Sequence, residues 1–473
     1  MKQLRVSLLI LIFSIFLAML PAAAVPEKVT NNQAGIQTTS ITNTLSSINA
    51  LYQYLNANFL WDIDTENVEE ELTKGLMRAL NDPYSEYITA DEKDEFDETT
   101  TGNYVGIGTY LTKYSPEAID WDDPETYMVQ ITAPFPGGPA DRAGLRSRDL
   151  ISHINGESIY DLTATEASKK LRGKEGEELT LTVHRGSAVF DVKLKPERVT
   201  TPNVSSEIIS GTNIGYLSIV NFSESTYSLV SKELSKLTNE GIKGLIIDLR
   251  NNTGGVVNAS LMVSNFFLES GDTIVSTQFK EGSGRQNSTT VASNETRKYL
   301  DIPLVILVNG GTASASEIMT AALKENDRAT VIGSKTFGKG IMQDVISWKD
   351  GYIKYTSAHY LTPLGNDIHE VGIEPDIVIE DNEYSDEETE LYFDFLDTHT
   401  EELEEYVKNN PEYSTANIEA YAEKHKDSGV PPLLLKLLAR NQYIYDMDYT
   451  ERPLTDPVYD RAMKRAVEYL ESL

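Results

Sequence analysis

Apolar and polar positions alternate with three different textures along the 473-residue chain. Between residues 38 and 98 the apolar positions recur at spacings of three and four, as in Ile48, Leu51, Tyr52 and Leu55, then Val68, Leu72, Leu76 and Leu80. That period predicts amphipathic helices. Asn81-Asp82-Pro83 stops the second one, so an antiparallel helical pair is expected, an element for packing or dimerisation. From Gly102 to about Val199 the pattern shortens to alternating strands broken by glycine-rich turns. Tyr104-Val105-Gly106-Ile107-Gly108 opens this region, and Gly137 to Leu145 makes a turn and short helix. Asp149 to Gly156 reads as a strand ending in an Asn-Gly hairpin turn. A helix over Thr163–Leu171 and strands around Leu179–Val183 and Val189–Leu194 complete one compact domain of small mixed sheet with two helices.

Residues 200 to 380 change texture again, to continuous apolar runs alternating with helical periods. The expected elements are Ile214–Ile219, Val230–Leu237, Gly244–Leu249, Leu261–Phe267, Leu304–Val308, Ser316–Lys324 and Ala329–Ile332. This βαβα rhythm predicts a mostly parallel α/β core, buried on both faces. Ligands in such sheets sit beyond the carboxyl ends of the strands, where Asn251–Gly255 and Asn309–Ser316 both fall. Residues 381 to 473 read as an acidic linker and a helical tail, with no chemistry expected of them.

The first 24 residues have the form of a signal peptide: Lys2 and Arg5, an apolar run from Val6 to Leu20, then Pro21-Ala22-Ala23-Ala24. Removal after Ala24 is expected, with an uncleaved membrane anchor as the alternative. Either way the rest is placed outside the cytoplasm, secreted, periplasmic or tethered. A net charge of −32 argues against a nucleic-acid partner, which needs clustered Lys and Arg. The absence of cysteine excludes disulfides, thiolate zinc sites and a cysteine nucleophile. No group of His and acids stands at metal-ligand spacing, and no metal or other cofactor is expected.

Candidate chemistry concentrates between Asn309 and Gln343. Ser314 follows a buried strand and the Gly310-Gly311 turn and opens a helix. The positive end of that helix favours a developing oxyanion, with the Ala315 N–H as one donor and Gly254 or Gly255 as the second. A serine needs a base, and a lysine serves only if burial away from carboxylates lowers its pKa from about 10.4 toward 7 or 8. Lys339, between Gly338 and Gly340 and beside Phe337, Ile341 and Met342, is the candidate, with Gln343 placed to hold the amine through a neutral carbonyl oxygen. A plain N-cap role for Ser314 or Ser316 with Glu317 is the competing reading of the same residues. A His base is the chemical alternative, and His359 and His369 are the two histidines in the core region.

These segments closely resemble the carboxyl-terminal processing peptidases, exported Ser-Lys endopeptidases with an inserted PDZ domain and a crotonase-like α/β core. The resemblance spans about residues 38 to 380. It rests on Asn81-Asp82-Pro83-Tyr84-Ser85, Tyr104 to Gly108, Asp248 to Gly255, Ser314-Ala315-Ser316-Glu317, Phe337-Gly338-Lys339-Gly340 with Gln343, Leu361 to Gly365 and Gly372 to Asp376. Thr312 stands where the family often has serine, and Lys324-Glu325-Asn326 replaces a more usual Gln-Asp pair. The resemblance implies Ser314 as nucleophile, Lys339 as general base and Gln343 as the orienting third member, with Ser316 the weaker candidate. It implies a PDZ domain over 102–199 that adds a peptide as a sheet strand. Tyr104, Val105, Gly106, Ile107 and Gly108 would then hold the terminal carboxylate, and Ile107, Ala167 and Leu171 would line an apolar pocket. Arg172 would latch the domain or greet the carboxylate. Protein or peptide substrates bound by their C-terminal tails are the implied partners, with a regulatory protein and a homodimer as further expectations. The rival from another class is a non-catalytic PDZ adaptor.

Overall fold

A computed structural model describes residues 41–114, 119–294, 298–380 and 384–473. The expected leader lies outside these residues. No helix among the described residues is long and apolar enough to cross a membrane. The described residues divide into two units, one holding most of 94–342 and 357–473 and the other residues 41–93 together with 343–356.

In the smaller unit the helical periods become helices Ile41–Asn58 and Thr65–Arg78, the second capped by the Asp64 carboxylate accepting from Asn67 N. The sequence pattern did not indicate the strand that follows, Glu86–Ile88, which pairs antiparallel with Tyr352–Lys354. The Ser85 hydroxyl, held by Asp82, accepts from Thr356 N at 2.9 Å, so the Asn-Asp-Pro stop also fastens this pairing.

In the larger unit, six strands form the central sheet. Val204–Ile208 runs antiparallel to Ile214–Ile219, and Ile214–Ile219, Gly244–Asp248, Leu304–Val308, Thr330–Gly333 and Ile377–Val378 follow in parallel. Alternation decides which side chains go where. Leu245, Ile247, Ile306 and Val308 face helices Thr226–Asn239, Val257–Ser264 and Ala315–Glu325 through Val230, Leu234, Val263, Ile318 and Met319. Ile246, Val305 and Leu307 face the other way, against Ala462, Met463, Ala466 and Leu470 of the last helix, Arg461–Glu471. The tail therefore closes the second face of the sheet, a role its polar composition did not announce.

The insertion over 102–199 leaves and rejoins the core through a stem in which Asn103–Gly106 pairs antiparallel with Glu197–Thr200. Its own sheet runs in the order Thr109–Thr112, Val129–Pro134, Leu150–Ile154, Leu179–Arg185, Ala188–Leu194, with Thr109–Thr112 at one edge. The Asn155-Gly156 turn has φ of 52° and 79° at its two residues, the left-handed pair that a two-residue hairpin demands. Helix Ala164–Arg172 packs Ala167 and Leu171 into the domain core, and Thr163 and Glu166 close its start as a capping box.

Candidate active site

Strand Leu304–Val308 is wholly buried and delivers the chain to the turn 309–314 at the carboxyl end of the sheet. Side chains lash this turn to the neighbouring strand end. The Asn309 carbonyl oxygen accepts from Asn251 N and Gly311 N, its amide donates to Asn251 Oδ1 at 3.0 Å, and the Thr312 hydroxyl donates to Leu249 O at 2.8 Å. The threonine thus keeps a hydroxyl where the resemblance leads one to expect serine, and uses it for structure.

Ser314 adopts φ 57° and ψ −117°, a region that costs a non-glycine residue roughly 1–3 kcal/mol and persists only where the surroundings impose it. Ser316 behaves differently. It is fully buried, and its hydroxyl donates to Asn252 O at 3.0 Å, which commits it to holding the two loops together. The two serines that the sequence left as competitors therefore have distinct surroundings.

Glu317 is the residue whose importance the sequence understated. Reasoning from the sequence treated it as a cap companion, and the Ser314 N–H does donate to its Oε2 at 2.9 Å. The same oxygen also accepts from Lys339 N at 2.7 Å, while Oε1 accepts from Gly338 N at 2.7 Å and the Thr336 hydroxyl at 2.6 Å. One fully buried carboxylate with four donors thus ties the backbone of Ser314 to the backbone of Lys339. The signal was present, since Ser-x-x-Glu opening an apolar run is a capping box, but the donors from residues 336–339 are visible only in three dimensions.

The glycines around Lys339 have a backbone reason. A Cβ on Gly338, whose φ is +90°, would stand 2.8 Å from Gly372 N, and one on Gly340 would stand 2.6 Å from His369 N. The lysine loop is pressed against the turn 368–372, and any side chain would push it away. Two expectations need correction. Lys339 is half-buried, and Phe337, expected to shield it, turns outward with 57% of its surface exposed while its backbone N–H donates to Thr312 O. Nor is the loop remote from acids, since the Glu317 carboxylate receives its backbone. Ile341 is buried, and Met342 packs on the core.

Gly254 lies directly against the serine turn. A Cβ there would meet Ser314 Cβ at 2.8 Å and Ala315 N at 2.9 Å, so only glycine admits this approach. Its N–H donates to Asn252 Oδ1 at 2.9 Å, and Gly255 next to it lies against the Phe222 backbone. Gln343 stands on strand Ile341–Trp348 at the start of its segment of the smaller unit, with its amide 3.4 Å from the Thr356 hydroxyl. His359 is exposed and lies 3.1 Å from Asp367, and His369 sits in the turn beside the lysine loop.

In the inserted domain, Ile107, Ala167 and Leu171 are buried in the domain's own core. Val105 is half-buried on the stem strand. Arg172 ion-pairs with Glu98 and lies with its guanidinium carbon 5.6 Å from the centre of the Tyr104 ring. Burial pushes the Glu98 carboxyl up, against the opposing pull of Arg172.

Residues 213–379 match the model of peptidase family S41, and residues 130–185 match that of the PDZ domain. A probable CtpA-like serine protease of Staphylococcus aureus (strain COL) is 37% identical over 353 residues, covering 74% of this chain and 68% of the relative. A protein of the same description from Staphylococcus epidermidis (strain ATCC 35984) is 36% identical over 342 residues, covering 72% and 66%. Among solved structures, a photosystem II D1 C-terminal processing protease aligns at 26% identity over 72% of this chain and 88% of its own, with a TM-score of 0.39. Fold and matches together define a serine protease carrying a PDZ domain. The chain belongs to peptidase family S41.

Proposed function

We propose that the protein is an exported endopeptidase that captures unstructured C-terminal tails in its PDZ domain and cuts peptide bonds by a Ser-Lys mechanism, with Gln343 orienting the lysine. The observation that carries this reading is the shared Glu317 carboxylate, which fixes the backbones of Ser314 and Lys339 to one another. The neutral Lys339 amine takes the Ser314 proton as the hydroxyl oxygen attacks the scissile carbonyl. The oxyanion forms beside the N–H groups of Ala315 and Gly255, the protonated lysine gives its proton to the leaving amine, and water then releases the acyl group. A half-buried Lys339 becomes a workable base when a bound substrate covers it and desolvation lowers its pKa. By the family resemblance, PDZ engagement also switches the site on, and a regulatory partner and an uncleaved N-terminal tether belong to the same reading. Exposed Leu45, Leu51, Tyr54 and Leu55 on the first helix and Leu72 and Leu76 on the second support a homodimer through that element. The test is proteolysis of a model protein with and without an apolar C-terminal tail by wild type and Ser314→Ala. Cutting that depends on both the tail and Ser314 is expected. Cutting that persists in Ser314→Ala contradicts the mechanism, and tail-independent cutting contradicts the PDZ role. A binding-only adaptor predicts no cutting at all.

A further inference from the structure

The loop that closes against Ser314 starts just after Arg250, and its residues are tied inward. Asn252 O accepts from Ala313 N and from the Ser316 hydroxyl at 3.0 Å each, the Asn252 side-chain amide donates to Ile219 O at 2.8 Å, and Gly254 O accepts from Phe222 N at 2.8 Å. Arg250 holds the root of this loop. Its Nε and Nη2 grip the Asp248 carboxylate as a fork, at 3.0 and 2.6 Å. Asp248 is engaged at both oxygens, since Oδ1 also accepts from Arg250 N and Oδ2 from the Tyr216 hydroxyl, at 3.0 Å each. The remaining guanidinium nitrogen, Nη1, reaches Asp460 Oδ2 at 2.7 Å. Asp460 divides its carboxylate between two tasks. Oδ1 accepts from Met463 N at 3.0 Å and so caps helix Arg461–Glu471, while Oδ2 meets Arg250. The two side chains are only 18% and 22% exposed, so salt screens the pair little. Asp460 is itself held in place, because Leu470 packs its helix over Gly244 and the Thr455 hydroxyl before it donates to Glu207.

We propose that Asp460 is a positioning residue for the reaction: it fixes the Arg250 guanidinium and, through it, the loop 251–255 that stands against Ser314, so that the C-terminal helix helps to set the oxyanion geometry. This inference rests on the Ser-Lys reading of the site. The guanidinium is planar and rigid, so a shift at Nη1 is a shift at Nε and Nη2 as well. Asp248 also receives the Arg250 backbone N–H, so the same shift passes to the first residue of the loop. Donors to an oxyanion act only when they already stand where the charge develops, and a small misplacement costs rate. Capture of a tail by the PDZ domain uses none of these groups. The effect therefore falls on kcat and leaves KM nearly unchanged.

Asp460→Ser separates the two tasks, because serine caps a helix about as well as aspartate but brings no charge to Arg250. The test measures kcat and KM of the full chain on a tailed model protein, below the melting midpoint of every variant. Asp460→Ser is expected to lower kcat roughly 5- to 20-fold with KM within about twofold of wild type. Asp460→Asn, which keeps the shape and removes the charge, should do the same and serves if the serine variant folds poorly. Leu470→Ala loosens the same helix at its far end without touching the ion pair, and should keep kcat within about twofold of wild type despite a lower melting midpoint. Wild-type kcat in both Asp460 variants, a change confined to KM, or an equal fall in Leu470→Ala overturns the inference. Each of these leaves the Ser-Lys reading standing, provided Ser314→Ala abolishes cutting. Cutting that persists in Ser314→Ala overturns that reading and the inference with it.

Discussion

Glu317 is where local sequence and distant structure meet. Four hydrogen-bond donors converge on its two oxygens, so the side chain must be an acceptor at both ends. Glu317→Gln turns one end into a donor aimed at donors and leaves buried N–H groups unpaired, at about 1–3 kcal/mol each. The expected outcome is a lower melting midpoint together with a fall in kcat/KM of at least about tenfold, since Ser314 and Lys339 lose their common anchor. Gly254→Ala tests the other wall. Its Cβ would collide with Ser314 at 2.8 Å on a φ of +101°, so hydrolysis should be lost while binding of a tail peptide by the PDZ domain persists. Loss of both together would show that the damage is general unfolding. The serine, the lysine and the glycines could be singled out in the sequence because the proposed chemistry needs those types in that order. The shielding of Lys339 was misjudged because a residue's neighbours in sequence do not fix which way its side chain turns, and Phe337 turns outward.

Among elements, the ones read best are those whose pattern is local. Strands Ile214–Ile219 and Leu304–Val308 have the limits their apolar runs predict, because a strand buried on both faces writes an unbroken signal. The hairpins Thr273–Phe279 with Ser288–Val291 and Ile341–Trp348 with Gly351–Leu361 were missed. They are polar and half-exposed, and their stability comes from partners far along the chain, such as Phe279 opposite Ala358. The tail is helical, as its pattern predicts, but its packing partners were not legible. Helix Arg461–Glu471 covers Val305 and Leu307, and its N-cap Asp460 completes a partly buried ion pair at 2.7 Å with Arg250, which immediately precedes the loop that leads to Gly254. Leu470→Ala, opening a gap over Gly244, should cost about 2–3 kcal/mol in denaturant unfolding, whereas an inert tail would leave the midpoint unmoved. The tail also carries a pH dependence. Burial lowers the His425 pKa below its ordinary 6.5, so the folded state binds fewer protons there than the unfolded one. That contribution is present above about pH 6.5 and is lost as the pH falls through the depressed folded value, so acid should loosen this region. His425→Gln should flatten that slope in thermal melts taken between pH 7 and 5.

At the scale of the whole molecule, a strongly acidic chain with an exposed apolar helical element and a PDZ domain is built to meet other proteins. Replacing Leu51 and Leu55 together by Glu should convert the proposed dimer to a monomer in light scattering, and an unchanged mass would remove that element from the assembly account. The class of fold was readable from the alternation of textures, whereas tail reading depends on chemistry at the PDZ edge that sequence alone does not place. The central claim concerns a lysine acting as base for a serine. Its most direct measurement is kcat/KM for a tailed model protein in wild type, Lys339→Ala, His359→Ala and His369→Ala, each checked for intact folding. The account predicts a loss of about a thousandfold or more for Lys339→Ala, with substantial activity kept by both histidine variants. Activity that survives Lys339→Ala and disappears with either histidine would contradict it.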